Sequence, residues 1–351
     1  MSIPVLLLLG MLVIGIPIGI AFPLLVIGSS DAWGIDWSML PSTTFDAISA
    51  FPLLAIPLFI LGGEVMNRGG LIRQLSAVCD RLFGWARAPM GYVMIAASAL
   101  MGAITGSSVA TVAAIGGTVG PEMIRRGYTP GYTAALNASA GLLGVLIPPS
   151  IPLILYGSIV GVSITQLFLA AILPGALMMG AFMMVHAFMR RRVLASGREA
   201  LVSRDVPAAR VGESMALVLW RAMPALLLPV VVLGGIYSGV FTPTEAAAVA
   251  ALYALTMTML ARTLRLSELK GVFHRAALSS AAILVVIGFT AVFNRAMVLQ
   301  QVPQSIATFA AGATDSAVVF LIVVNLVLLL VGMFMETNAA TLLMGPLLAP
   351  A

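Results

Sequence analysis

The sequence predicts an all-α, polytopic membrane protein with inverted repeats, re-entrant helical hairpins and broken helices. Three observations carry that prediction. The chain is 61% hydrophobic and 9% charged, with a mean hydropathy of +1.10, far from a soluble domain. Residues 88–121, bracketed by Arg87 and Glu122, hold no charge over 34 residues, yet their centre reads Gly102-Ala-Ile-Thr105-Gly106-Ser107-Ser108. A second polar break follows 230 residues later: Gly102, Ala110 and Thr111 recur as Gly332, Ala340 and Thr341, and Ser107-Ser108 as Thr337-Asn338.

The opening run Ile3–Gly28 has no charge over 26 residues and no basic n-region. It reads as a retained transmembrane helix, not a signal peptide. The loop 29–46 carries Asp31, Asp36 and Asp46 without a basic residue, and closes an N-terminal unit, 1–46. Span 47–63 opens a first repeat, 47–210. In 64–87, Leu71, Leu75, Val78 and Leu82 fall at helical spacing among charges, predicting an amphipathic arm helix at the membrane interface. As one helix, 88–121 would be about 50 Å long, against a hydrocarbon core of about 30 Å. Arg81 and Arg87 precede it and Arg125 and Arg126 follow it. A hairpin, 88–122, is therefore predicted to enter from the basic, cytoplasmic face and return there. Its turn requires protein or a watery cavity around it.

The uncharged stretch 127–189 is 63 residues long, enough for two spans that turn near Gly161-Val-Ser163. The first of them, 131–160, is a broken helix. The loop 190–210, with Arg190, Arg191, Arg192, Arg198, Arg204 and Arg210, marks the cytoplasm. Scaffold spans 222–241 and 246–261 fill 211–262, and Thr242-Pro243-Thr244-Glu245 spells a capping box between them. The second repeat, 263–351, begins with a span, 276–294, that crosses opposite to 47–63, so the copies are inverted. Asn67-Arg68 recurs there as Asn294-Arg295. This copy stops where its hairpin should return, which predicts a further two-span unit missing beyond Ala351.

The net charge of +5 comes almost wholly from arginines at helix ends and in one loop, which is topology bias and not a nucleic-acid surface. Cys79 is the single cysteine; it allows no intrachain disulfide and reads as a small apolar packer. His186 and His274 stand apart and read as interfacial helix-end residues. With no metal-ligand cluster and no nucleophile beside a base at membrane depth, the sequence argues against an enzyme. No cofactor is expected.

The strongest local motif is Asn137-Ala-Ser139-Ala-Gly141-Leu-Leu-Gly144-Val-Leu-Ile147-Pro148-Pro149-Ser150-Ile-Pro152. Its prolines must break the helix near 144–149, freeing the carbonyls of Gly144, Val145 and Ile147 for a hard cation such as Na+. A packing kink is the alternative. At the hairpin tip, hydroxyls and half-helix N–H groups suit an anionic substrate group, although Gly, Ser and Thr also pack helices. Gly106, Ser107, Asn137, Thr337 and Asn338 are the substrate-side candidates. Glu336, an acid in an apolar span, is functional by default, whereas Arg295 reads as an outer-interface residue. A solute transporter with an ion site is favoured over a passive channel.

These residues carry a resemblance. The stretches Pro52 to Gly70, 102–118, Gly144 to Tyr156, Phe241 to Ala248 and Gly332 to Asn338 resemble the large permease subunit of tripartite ATP-independent periplasmic (TRAP) transporters. The resemblance implies an elevator-type, Na+-coupled importer of small organic acids such as C4-dicarboxylates or sialic acid, in the bacterial inner membrane. It also implies two partners: a small membrane permease subunit and a periplasmic substrate-binding protein. By the same resemblance Thr105, Ser108, Gly144, Ile147 and Pro149 are sodium ligands, and a second sodium site matches Gly332, Met335 and Glu336.

Overall fold

The structure, a computed structural model, describes residues 7, 10–11, 14–34, 36, 38–193, 214–313, 316–333 and 335–349. The predicted arginine loop falls mostly on 194–213, outside the described residues, as does most of the opening run before residue 14. Five described helices are long and apolar enough to cross a membrane: Phe51–Arg68, Ile164–Met189, Met215–Tyr237, Pro243–Leu260 and Leu266–Leu299. The broken pair Pro130–Leu146 and Ile151–Val160 makes a sixth if taken as one span. The chain divides into two compact units. One comprises Met1–Leu54, Pro152–Ser163 and Leu278–Ala351, the other Ala55–Ile151 and Ile164–Ala277.

In the first unit, α1 (Ile18–Trp33) ends at Gly34, whose left-handed φ of 62° few other residues adopt. Asp36 then accepts a hydrogen bond from the Ser38 N–H at 2.9 Å, and α2 (Met39–Ile48) follows at once. The predicted loop 29–46 is therefore largely helical: Asp31 falls within α1, Asp46 within α2 and Asp36 between them. The core joins α1 to the C-terminal part of α14 (Leu266–Leu299), where the rings of Phe22 and Phe293 stack at 4.7 Å. Gly288 lets Thr44 and Ile48 of α2 approach. The unit also holds α15 (Val302–Ala313), α16 (Ala317–Gly332) and α17 (Thr337–Leu348), and α15 and α17 pack together.

The second unit begins with α3 (Ala55–Arg68), entered through one 3-10 turn, Phe51–Leu54, of the first. It packs on α13 (Pro243–Leu260) through small residues: Gly62 faces the Ala250–Ala251 backbone and Gly69 faces Thr258. Close backbone approach of this kind is how helices associate where lipid supplies no hydrophobic drive. The predicted capping box of α13 is present. The Glu245 N–H donates to Thr242 Oγ1 at 3.3 Å, and the Thr242 N–H donates to Glu245 Oε2 at 2.8 Å. Helix α12 (Met215–Tyr237) lies beside it.

Helix α4 (Leu71–Phe83) is amphipathic as predicted, but Leu71, Ile72, Leu75, Val78 and Cys79 are buried on protein, against α5 (Pro89–Thr105) and α12. Leu82, expected on the same face, is exposed. Burial, followed by the neighbouring Asp80 charge, pushes the Cys79 thiol up to about 12. Maleimide, which reacts with the thiolate, is expected to label Cys79 in the native protein at pH 7 far more slowly than after unfolding in dodecyl sulfate; equal rates would place the thiol at an open surface.

Candidate functional site

The predicted hairpin is two helices, α5 and α6 (Ser108–Thr118), which pack against each other. Helix α5 ends because Gly106 turns left-handed at φ 62°, with its N–H bonded to the Gly102 carbonyl at 2.9 Å. Ser107 is extended and caps α6, its Oγ accepting from the Ala110 N–H at 3.3 Å. A short helix, α7 (Gly120–Arg125), follows. The broken helix begins with α8 (Pro130–Gly141) and α9 (Leu143–Leu146). It runs non-helically through Ile147–Ser150 and resumes as α10 (Ile151–Val160). Pro148 and Pro149 carry no amide hydrogen to continue it.

Tip and break meet backbone to backbone. The Ile151 N–H donates to the Gly106 carbonyl at 3.2 Å. Glycines make the approach possible. A β-carbon on Gly102 would stand 2.6 Å from the Leu143 carbonyl oxygen, and one on Gly106 2.7 Å from that of Pro149. One on Gly144 would stand 2.5 Å from Thr111 Oγ1 and 2.8 Å from the Ser107 carbonyl oxygen. Oxygens gather in the same place. Thr111 Oγ1 donates to the Ser107 carbonyl at 2.8 Å and lies 3.5 Å from Thr105 Oγ1. Thr105 donates in turn to the Met101 carbonyl at 3.1 Å, and both threonines are buried. A donor set made only of oxygens suits a hard cation.

Five predicted residues therefore lie at one junction, Thr105, Gly106, Ser107, Gly144 and Pro149, whereas Ser108 turns its carbonyl toward Gly141 and Ile147, within the break, packs on Gly175. Two readings change. The Val145 carbonyl is not free, since Ser150 Oγ donates to it at 2.5 Å; a serine behind the prolines takes over a carbonyl that the break released. Asn137 sits lower: its Nδ2 donates to the Val112 carbonyl at 3.0 Å and it packs on Gly116, bracing α8 to the middle of α6. The residue missed is Thr111. Its recurrence as Thr341 was visible, but a threonine inside an apolar helix gives no other sign that its hydroxyl turns back to the tip.

The remaining candidates belong to the other unit. Helix α16 ends at Gly332 and α17 begins at Thr337, where Glu336 caps α17, its carboxylate accepting from the N–H groups of Asn338 (2.9 Å) and Ala339 (3.3 Å). Asn338 Nδ2 also donates to it at 2.9 Å. Met335 packs its side chain on the Phe22–Phe293 core, and Gly332 has no described neighbour where a β-carbon would stand. Helix geometry thus accounts for the acid, and the N–H of Asn338 is already committed. His186 overturns its expectation. It is fully buried, with Tyr132 Oη 2.6 Å from Nδ1 and the Ala88 carbonyl 2.9 Å from Nε2. His274 is exposed, in the third turn of α14.

At the hairpin's foot, Arg126 forks onto both Asp80 oxygens at 3.1 and 3.2 Å and bonds Glu122 at 2.9 Å. Arg125 pairs with Glu122 as well. Partial burial raises the Glu122 carboxyl, but bonds and charge from Arg126 and then Arg125 outweigh it and hold the group below the ordinary carboxylate range. A lowered pKa stabilises the fold above the unfolded carboxylate range, and that stability is lost as pH falls through the folded value. The melting temperature in detergent is expected to drop between pH 6 and about pH 3, and to drop less in Glu122→Gln. An unchanged pH slope in the variant would show that the ion pairs carry no stability.

The chain matches the family model described as tripartite ATP-independent periplasmic transporter, DctM component, over residues 5–351. It is similar to the isethionate TRAP transporter permease protein DctMQ of Oleidesulfovibrio alaskensis, at 37% identity over 97% of this chain and 52% of that protein. It is 38% identical to the C4-dicarboxylate TRAP transporter large permease protein of Pseudomonas aeruginosa, over 87% of this chain and 70% of the relative. To the 2,3-diketo-L-gulonate TRAP transporter large permease protein of Escherichia coli it is 34% identical, over 99% and 81%. The chain spans about half of the first of these relatives and about three quarters of the other two. With its apolar helices and a match over almost its whole length, the chain is a multi-pass protein of the bacterial inner membrane and belongs to the DctM component family of tripartite ATP-independent periplasmic transporters.

Proposed function

We propose that the chain forms the core of a large permease subunit that imports small organic acids by Na+ coupling, through an elevator-type mechanism. One observation carries the reading: the interlocked tip and break, where Thr105, Ser107 and Thr111 present oxygens beside Gly144. Na+ is a cosubstrate held by these oxygens and by carbonyls of the broken segment. The relatives' names (isethionate, C4-dicarboxylate, 2,3-diketo-L-gulonate) are all small organic anions. An anionic group fits the first tip better than the second. The first-turn N–H groups of α6 at Ser108 and Val109 lack intrahelical acceptors, whereas the Glu336 carboxylate already occupies those of α17. The tripartite description of the family supports a small membrane subunit and a periplasmic binding protein as partners.

The test is uptake into proteoliposomes by the full permease with both partners, under an inward Na+ gradient or with K+ in its place. Saturable uptake that requires Na+ is expected. Uptake indifferent to the cation would end the coupling assignment, and non-saturating flux would indicate a passive channel instead.

A further inference from the structure

We propose that His186 is a positioning residue that sets the register between the hairpin and the broken helix. It sits on α11 (Ile164–Val193) and is fully buried. Its Nε2 lies 2.9 Å from the Ala88 carbonyl. A carbonyl only accepts, so Nε2 carries a hydrogen, and in the neutral ring Nδ1 accepts from the Tyr132 hydroxyl at 2.6 Å. One imidazole thus ties the residue before α5 to the first turn of α8.

The contact is shaped around the ring. A β-carbon on Gly91 would stand 2.1 Å from the imidazole Cε1, so the ring lies directly over the α5 backbone. Tyr92 meets it edge-on with ring centroids 4.7 Å apart, and Tyr128 stacks at 6.5 Å. Ala88 is a non-glycine residue in the left-handed region, at φ 56°, a conformation that persists only where surroundings hold it.

The spacing gives the clamp its purpose. Helices α5 and α8–α9 pack together twice: at the foot through His186, between Gly91 and Tyr132, and at the tip where Gly102 meets Leu143. Gly91 to Gly102 is eleven residues, and so is Tyr132 to Leu143. At about 1.5 Å per residue both arms are about 17 Å long. A slip of one residue at the foot would carry the tip about 1.5 Å along the break, several times the tolerance of a cation's oxygen shell. His186 is therefore the fixed end of a two-point alignment whose other end is the oxygen junction.

The transport readout rests on the sodium reading above; the structural readout does not. In the full permease with its partners, Tyr132→Phe removes one hydroxyl and keeps the ring, His186→Gln keeps a donor, and His186→Ala removes both. The half-saturating Na+ concentration for uptake is expected to rise about fivefold in Tyr132→Phe and more in His186→Ala, with His186→Gln between them and the parent. Deuterium exchange of 101–111 and 141–151 is expected to quicken in the same order, with exchange in α12 and α13 unchanged. If parent uptake proves independent of Na+ while exchange follows this order, the register role stands and the sodium reading falls. If Tyr132→Phe and His186→Gln exchange at the tip like the parent, His186 is core packing and the proposal is overturned.

Discussion

Replacing Gly144 by valine is expected to raise the half-saturating Na+ concentration by more than tenfold, or to abolish coupled uptake, while the protein still inserts. A β-carbon alone at this position stands 2.5 Å from Thr111 Oγ1 and 2.8 Å from the Ser107 carbonyl. Neither is the far end of a flexible chain: Thr111 is β-branched and held by its own bond, and the carbonyl is backbone. Overpacking of this kind costs about 1–3 kcal/mol, and relief comes only by moving α9 away from α6, which opens the oxygen cluster. Gly117, exposed on α6 with nothing within 4 Å of its would-be β-carbon, is the control. Gly117→Ala is expected to transport like the parent and to be slightly more stable. Uptake measured against Na+ concentration decides the matter; reduced uptake in Gly144→Val with an unshifted Na+ dependence would make the segment a packing kink.

Gly106→Ala is expected to lose most uptake at every Na+ concentration. Two costs add at one residue. The left-handed conformation costs a residue with a β-carbon about 1–2 kcal/mol, and that carbon would stand 2.7 Å from the Pro149 carbonyl. Relaxing either strain stretches the Ile151 to Gly106 bond, the direct hydrogen bond between tip and break. Loss of uptake with quickened exchange of 141–151 is the expected signature. Parent-like exchange in an inactive variant would instead assign Gly106 to direct substrate contact.

Much of this was legible in the sequence because backbone chemistry announces itself. An uncharged run too long for one span, with Gly and Ser at its centre, reads as a hairpin, and the prolines read as a break, which falls at Pro148-Pro149 while Pro152 sits in the first turn of α10. Thr242 and Glu245 spelled their capping box. What stayed hidden depends on which way side chains turn. Thr111 and His186 both sit in apolar helices, where sequence shows a polar residue but not its partner. The periodicity of α4 was correct, but a stripe of Leu and Val does not say whether lipid or α12 covers it. Repeat matching aligned Asn67 with Asn294, yet Asn67 is exposed and Asn137 makes the comparable bond. Asn137 donates to the Val112 carbonyl, and Asn294 donates at 2.8 Å to that of Leu342, the residue 230 positions after Val112. Each hairpin is braced at the same carbonyl from a different helix, and no linear comparison finds that.

The glycine seam between tip and break has a consequence for leakage. Where side chains seal a joint, rotamer changes let it loosen by degrees, and ions slip through partly open states. Here Gly102 and Gly106 bring backbone against backbone, and the side chain beside Gly144, Thr111, is β-branched and held by its bond to the Ser107 carbonyl. The joint is either seated or parted. On the proposed sodium reading, cation release requires a discrete step of the main chain, and that geometry limits dissipation of the ion gradient.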